Sequence, residues 1–204
     1  MGVAGVGPLV GPFVEQGAVE AFDFAVGLGP VGAGEFAGRS EFGEGVLPGQ
    51  AFAVGPGYGG LEQATARLHG VDKRLRALAE LKAATVVQCA YCIDMGSQIS
   101  RLWGLSDDEL RALSSHRDST LFSDVEKLVL DYAEGMSRTP VHVSDELFAR
   151  LRRHLDDAQL VELTHIIALE NLRGRFNLAL GVDAAGFSEG RVCAVPVALR
   201  PPAA

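Results

Sequence analysis

Cys89-Ala90-Tyr91-Cys92 is the stretch of this 204-residue chain with the clearest chemical content. Two thiols spaced C-x-x-C at the start of a helix bring their sulfurs within bonding range. The partial positive charge of a helix N-terminus also favours thiolate over thiol. A thiolate of that kind attacks a peroxide or a disulfide, and the second thiol then closes a disulfide that blocks further oxidation. Two plainer roles stay open for the same residues. A zinc site needs four ligands, and no second C-x-x-C exists; Cys193 lies about a hundred residues downstream with no adjacent histidine. Alternatively, the two cysteines are small buried apolar side chains. The N-terminus lacks the basic and continuous apolar regions of a signal peptide, which suits a reducing cytoplasm. A lone C-x-x-C there is more often redox-active or metal-bound than structural.

Other polar residues are weaker candidates. Glu170, Asn171, Arg173, Arg175 and Asn177 crowd one helical stretch, where i,i+3 and i,i+4 pairs can form along a surface. His165 falls on or near an apolar face and reads as a packed side chain. His69, His116, His142 and His154 have no spacing that makes a metal set. Trp103 and Tyr91 read as packing residues, and Tyr91 between the cysteines can shield a pocket. Cys193 is a possible third redox thiol in a tail. No dinucleotide fingerprint or phosphate loop is present, so no cofactor and no metal are expected.

The elements that must position these residues read as helices from residue 61 onward. Leu75, Leu78, Leu81 and Thr85 share a face, with Ala79, Ala83 and Ala84 alongside. The next helix runs from about Tyr91 to Leu102 and ends at Gly104. Ser106 with Glu109, and Ser123 with Glu126, spell capping boxes that open two more helices. Leu128, Tyr132 and Met136 stripe the second of these, and Pro140 follows it as a stop. Ser144 caps a helix carrying Leu147, Phe148, Leu151 and Leu155. Asp157 opens the longest helix, through Leu160, Leu163, Ile167 and Leu172 to Leu180, closed by Gly181. Strand signals are nearly absent. The expectation is an all-α helical bundle of about six helices over residues 61–186, followed by an extended or disordered tail, 187–204.

Residues 1–60 differ from the rest. They hold 17 of the 25 glycines, five of the nine prolines, one basic residue and six acidic ones. Ordering such a segment costs much backbone entropy and returns little aliphatic burial. It reads as a disordered Gly-rich segment, or as an artefact of a start site that truly lies near residue 60. No apolar run is long enough for a membrane span. The formal net charge of -8 gives no basic surplus, which weighs against nucleic acid as a partner.

The stretch LAELKAATVVQCAYCIDMGSQI resembles the core of the carboxymuconolactone decarboxylase and alkylhydroperoxidase-D-like superfamily. Downstream, SDVEKLVLDYAEGMSRTPVHVSDELFARLRRHLDDAQLVELTHIIALENLRGRFNLALGV resembles the rest of that domain, so the likeness covers about residues 70–186. GFSEGRVCAVP resembles the tail of one subfamily. The resemblance implies an all-helical homo-oligomer, dimer or trimer, that reduces a peroxide with electrons from a dithiol partner. It implies Cys92 as the peroxidatic cysteine and Cys89 as the one that resolves it. The peroxidase branch has the pattern E-x11-C-x-x-C-x3-H, whose relay glutamate and histidine fall here on Ala77 and Gly96. Both proton-handling groups are missing, and each is typically worth ~10²–10⁴-fold in rate. Glu80, one turn after Ala77, is a possible substitute, although an exposed glutamate gives the same pattern. Asp94 lies roughly 200° around the helix from Cys92 and reads as a surface or capping residue. The resemblance also implies that Arg175 and Asn177 line the site or a subunit contact. Two alternatives stand beside the peroxidase: a non-catalytic redox-sensing or structural oligomer, and a lyase like the decarboxylase branch, which lacks the C-x-x-C.

Overall fold

The structure, a computed structural model, describes residues 48–194, with side chains from residue 57. Residues 1–47, and with them most of the Gly-rich segment expected to lack order, lie outside the described residues, as do residues 195–204 of the tail. The chain divides into two compact units, Met1–Arg67 and Leu68–Ala204. The described part of the first is one helix, α1 (Pro48–Ala66). Helix α1 takes in residues 48–60, which composition alone grouped with the Gly-rich segment. Proline suits the first turn of a helix, because its missing N–H is unpaired there anyway.

The second unit is all helical among the described residues. It comprises α2 (Lys73–Val87), α3 (Ala90–Leu102), α4 (Asp107–Ala112) with a short 3₁₀ turn after it, α5 (Asp124–Ser137), α6 (Asp145–Leu151) and α7 (Asp157–Ala179). Helix α2 is the hub and packs against α3, α5 and α7. Its small residues explain why: Ala77, Ala79, Ala83 and Ala84 are buried on several sides and let three helices approach. Ala79 and Ala83 meet Leu128, Val129, Tyr132 and Ala133 of α5 and Leu160, Leu163 and Ile167 of α7 in the core cluster, which also includes Leu151 and Leu155.

The helices α2 to α7 each start at a capping side chain. Asp72 accepts from the backbone of Arg74 and Leu75 ahead of α2. Ser106 and Ser123 form the expected capping boxes with Glu109 and Glu126, and Asp156 forms a third with Gln159 at the start of α7. Caps of this kind are each worth about 1 kcal/mol. Arg74 joins two of them, pairing with both Glu109 and Glu126. Burial works against the charge on these two carboxyls, yet the Arg74 guanidinium and the capping serines hold both below the usual carboxylate range.

Residues 183–194 are irregular, but they are tied onto α3 rather than free. The Asp94 carboxylate accepts backbone N–H donors from Ala185, Gly186, Phe187 and Ser188 at 2.7–3.1 Å. Arg101 donates to Ser188 Oγ and to the Val192 carbonyl, and the Ala194 N–H donates to Ser97 Oγ. Gly186 and Gly190 take positive φ angles of 83° and 72°, which lets the chain curl around the carboxylate. Asp94 is therefore a buried clamp: of the surface and capping roles its angle from Cys92 suggested, burial excludes the first, and its acceptance of backbone donors is of the second kind.

Candidate active site

The connection between α2 and α3 is two residues long, and it creates the site. Gln88 sits in the left-handed region (φ 64°, ψ 33°) and donates its N–H to the Ala84 carbonyl, ending α2. Cys89 follows as the N-cap of α3 and makes the Cys92 N–H its donor, at 3.2 Å to Sγ. A sulfur thus occupies the place usually held by a serine or aspartate oxygen, facing the unpaired amides of the first turn. Cys92 lies one turn in, with the two Cα atoms 5.2 Å apart, and the pair is closed as a disulfide. Cys89 is 0% exposed and Cys92 4%.

The far wall is α7. Gly174 passes so close that an added Cβ would come within 2.8 Å of Val87 Cγ1 and 3.4 Å of Cys89 Cβ. One turn later Asn177, buried, points its side-chain amide at the sulfurs, with Nδ2 3.7 Å from Cys89 Sγ and 3.6 Å from Cys92 Sγ. Gly174 carries the signal that sequence reading passed over: an isolated glycine inside a long helical pattern often marks a close approach.

The other sequence candidates fall in separate places. Tyr91 is buried and meets Phe187 of the clamped tail edge-on, ring centroids 5.6 Å apart. It therefore packs beneath the tail beside the cysteines. Glu80 is engaged by Arg76 at 3.4 Å and Arg173 at 3.5 Å, and Arg173 also holds Glu170 at 3.0 Å. This network ties α2 to α7, and no contact joins the Glu80 carboxylate to a sulfur. Arg175 is exposed and donates to Asn171 Oδ1 and to Thr139 Oγ1, across from α7 to the end of α5. Asn177 reaches the sulfurs while Arg175 does not, because two residues along a helix turn a side chain by about 200°.

The two positions of the family's proton relay are structurally closed. Ala77 is buried, and a Cβ at Gly96 would already lie 3.2 Å from Leu81 Cδ1. Arg76 stacks over Trp103 at 5.9 Å. His165 is half-buried, and Cys193 is a free, partly exposed thiol next to the Ala194–Ser97 tie. Among the described residues no group of three or more His, Cys, Asp or Glu side chains could hold a metal ion.

A separate charged cluster lies between α2 and α5. Buried Lys82 meets Glu134 at 2.9 Å, with Arg117 and Arg138 outside it. Burial opposes the charge on Glu134, but the Lys82 hydrogen bond and the charges of Lys82, Arg117 and Arg138 hold its carboxyl at about 2. His116 is fully buried with Nε2 2.9 Å from Asp131 Oδ1. Burial lowers its pKa below the ordinary value, against the pull of Asp131.

The carboxymuconolactone decarboxylase family model matches residues 54–135. The uncharacterized protein YnjA of Escherichia coli strain K12 is 40% identical over 127 residues, covering 62% of this chain and 66% of that protein. The uncharacterized protein YdfG of Bacillus subtilis strain 168 is 31% identical over 116 residues, covering 56% of this chain and 79% of that protein. The chain thus spans about two thirds of the first relative's length and more of the second's. Among solved structures, a protein of unknown function from Agrobacterium tumefaciens, proposed to be the antioxidant defence protein AhpD, is 26% identical with a TM-score of 0.58, covering 61% of this chain and 86% of that one. The debrominase Bmp8 has the same fold at 18% identity, with a TM-score of 0.64 over 89% of this chain and 91% of that one.

Proposed function

The chain belongs to the carboxymuconolactone decarboxylase family, and on that premise we propose that it is a thiol-based oxidoreductase that reduces a peroxide through Cys89 and Cys92. The observation that carries this reading is the sulfur pair at the N-terminus of α3, joined as a disulfide beneath the Asn177 amide. In this reading Cys92, the position the family resemblance implies as peroxidatic and the slightly less buried residue of the two, meets substrate. Its thiolate attacks the peroxide: an S–O bond forms, the O–O bond breaks, and the leaving alkoxide takes a proton from water. Cys89 then attacks the sulfenic sulfur, the S–S bond forms, and hydroxide leaves as water. A cytoplasmic dithiol returns two electrons and two protons to the disulfide. With alanine and glycine at the relay positions, the proton comes from solvent, and a slow turnover is expected relative to an enzyme with a positioned acid.

A redox-sensing role for the same pair has one observation in its favour, the near-complete burial of both sulfurs. The two separate in one experiment. The reduced protein is challenged with hydrogen peroxide and with cumene hydroperoxide, and peroxide loss and free thiols are followed together with an added dithiol reductant. Catalytic consumption that disappears in Cys92→Ser supports the enzyme. One disulfide formed per chain without turnover supports the sensor. Neither consumption nor disulfide formation, with Cys92→Ser behaving like the wild type, would sink the redox reading altogether.

A further inference from the structure

We propose that the Asn177 carboxamide is a catalytic residue of the thiol site: a neutral hydrogen-bond donor that holds the negative charge of the reduced pair on whichever sulfur carries it. The assignment rests on the reading that Cys89 and Cys92 cycle between dithiol and disulfide. Its support is geometric. Nδ2 lies nearly equidistant from the two sulfurs, at 3.7 Å and 3.6 Å. Asn177 is 4% exposed, so the contact is made away from water, where a charge-assisted hydrogen bond is strongest. The fold also accommodates it: Gly174, one turn earlier on the same face, gives α7 the close approach that brings Asn177 over the sulfurs.

The chemistry follows from what a neutral amide does. A disulfide sulfur is a weak acceptor and a thiolate a good one. The donor therefore binds the reduced, ionised pair more tightly than the disulfide, which lowers the thiol pKa and makes the disulfide easier to reduce. Unlike a glutamate or histidine relay, the amide does not titrate. It can stabilise charge passing from Cys92 to Cys89 but cannot deliver a proton. The amide and the Cys92 backbone N–H both donate to the sulfurs. The site is thus built to hold a thiolate while leaving proton transfer to water.

The test needs no peroxide. Thiolate absorbance near 240 nm is titrated in the reduced wild type, in Asn177→Leu, which keeps the volume but not the donor, and in Asn177→Asp, which puts a negative charge there instead. The disulfide is equilibrated with dithiothreitol in each. The lowest thiol pKa should rise by about 0.5–1 unit in the leucine variant, roughly three- to tenfold in thiolate fraction, and further in the aspartate variant. Reduction by dithiothreitol should become less favourable by a similar factor. Folded variants that titrate and equilibrate like the wild type, or an aspartate variant with a lower thiol pKa than the leucine one, would overturn the assignment. Should the variants not fold, the wild type decides. Its Asn177 side-chain amide resonances, followed by nitrogen-15 NMR, must move with the thiol titration, and resonances that stay put refute the role. A protein that consumes no peroxide but shows these shifts disproves the peroxidase reading and keeps Asn177. A peroxidase without them does the reverse.

Discussion

Gly174 sets the width of the site by what it lacks. A methyl group there meets Val87 and Cys89 together, so Gly174→Ala forces α7 away from the cysteine corner. The expected cost is about 1–3 kcal/mol, read by urea denaturation, and the variant should also lose the Asn177 contact and with it thiol reactivity. An alanine variant as stable and as readily alkylated as the wild type would show that α7 yields without cost. Two buried titratable groups make the fold sensitive to acid. Glu134 has a folded pKa of about 2 against an ordinary 4.5, so its contribution is complete above 4.5 and is lost as pH falls from there toward 2. His116 has a lowered folded pKa, so the unfolded chain takes up a proton that the folded chain refuses once pH drops below 6.5. Both effects have the same sign. The urea midpoint should fall between pH 7.5 and 5.5 and fall again below 4.5. His116→Gln should flatten the first step alone; an unchanged first step would remove His116 as its cause.

At the scale of elements, the corner between α2 and α3 and the tail clamp hold the cysteine helix from either end. Gln88 adopts a left-handed conformation that glycine accepts without strain. Gln88→Gly is expected to keep or raise stability by a few tenths to about 1 kcal/mol, measured by thermal melting; a clear loss would mean that the side chain itself holds the corner. The Asp94 clamp works in the opposite sense. Asp94→Ala strands four backbone donors and frees residues 183–194, at a cost of about 2–4 kcal/mol. Hydrogen exchange should rise at Gly186, Phe187 and Ser188, and Tyr91 should become exposed as Phe187 leaves it. Unchanged protection there would show that the Arg101 and Ser97 ties suffice.

At the scale of the molecule, α7 is buried along one side and carries exposed apolar residues beside the exposed Arg175 on the other. Val161 and Leu172 are 70% and 44% exposed, with Ala168 exposed between them on the same face. A 23-residue helix with such an outer stripe is expected to pack against a second copy, in keeping with the oligomer the family resemblance implies. Light scattering should give at least a dimer, and Val161→Glu combined with Leu172→Glu should shift it toward monomer. A wild-type monomer would contradict this. Among the described residues no helix is long and apolar enough to cross a membrane.

Much of this was legible along the chain because the information is local. Caps act over three residues, so Ser106, Ser123 and Ser144 marked their helices without any tertiary context. The C-x-x-C spacing needs one helical turn to bring its sulfurs together, and the order of segments around it was enough to name the family. What stayed hidden depends on chain brought back from far away. Asp94 reads as a surface or capping residue, and what it holds is unknown until residues 185–188 return to wrap it. Gly174 and Asn177 are unremarkable on α7 until that helix lies against Cys89, 88 residues earlier in the case of Asn177. Glu80 and Arg175 share the sequence signature of site residues, yet packing turns them to other partners. Helical spacing tells which side chains share a face, but not what that face meets, and the chemistry of the sulfurs depends on what they meet.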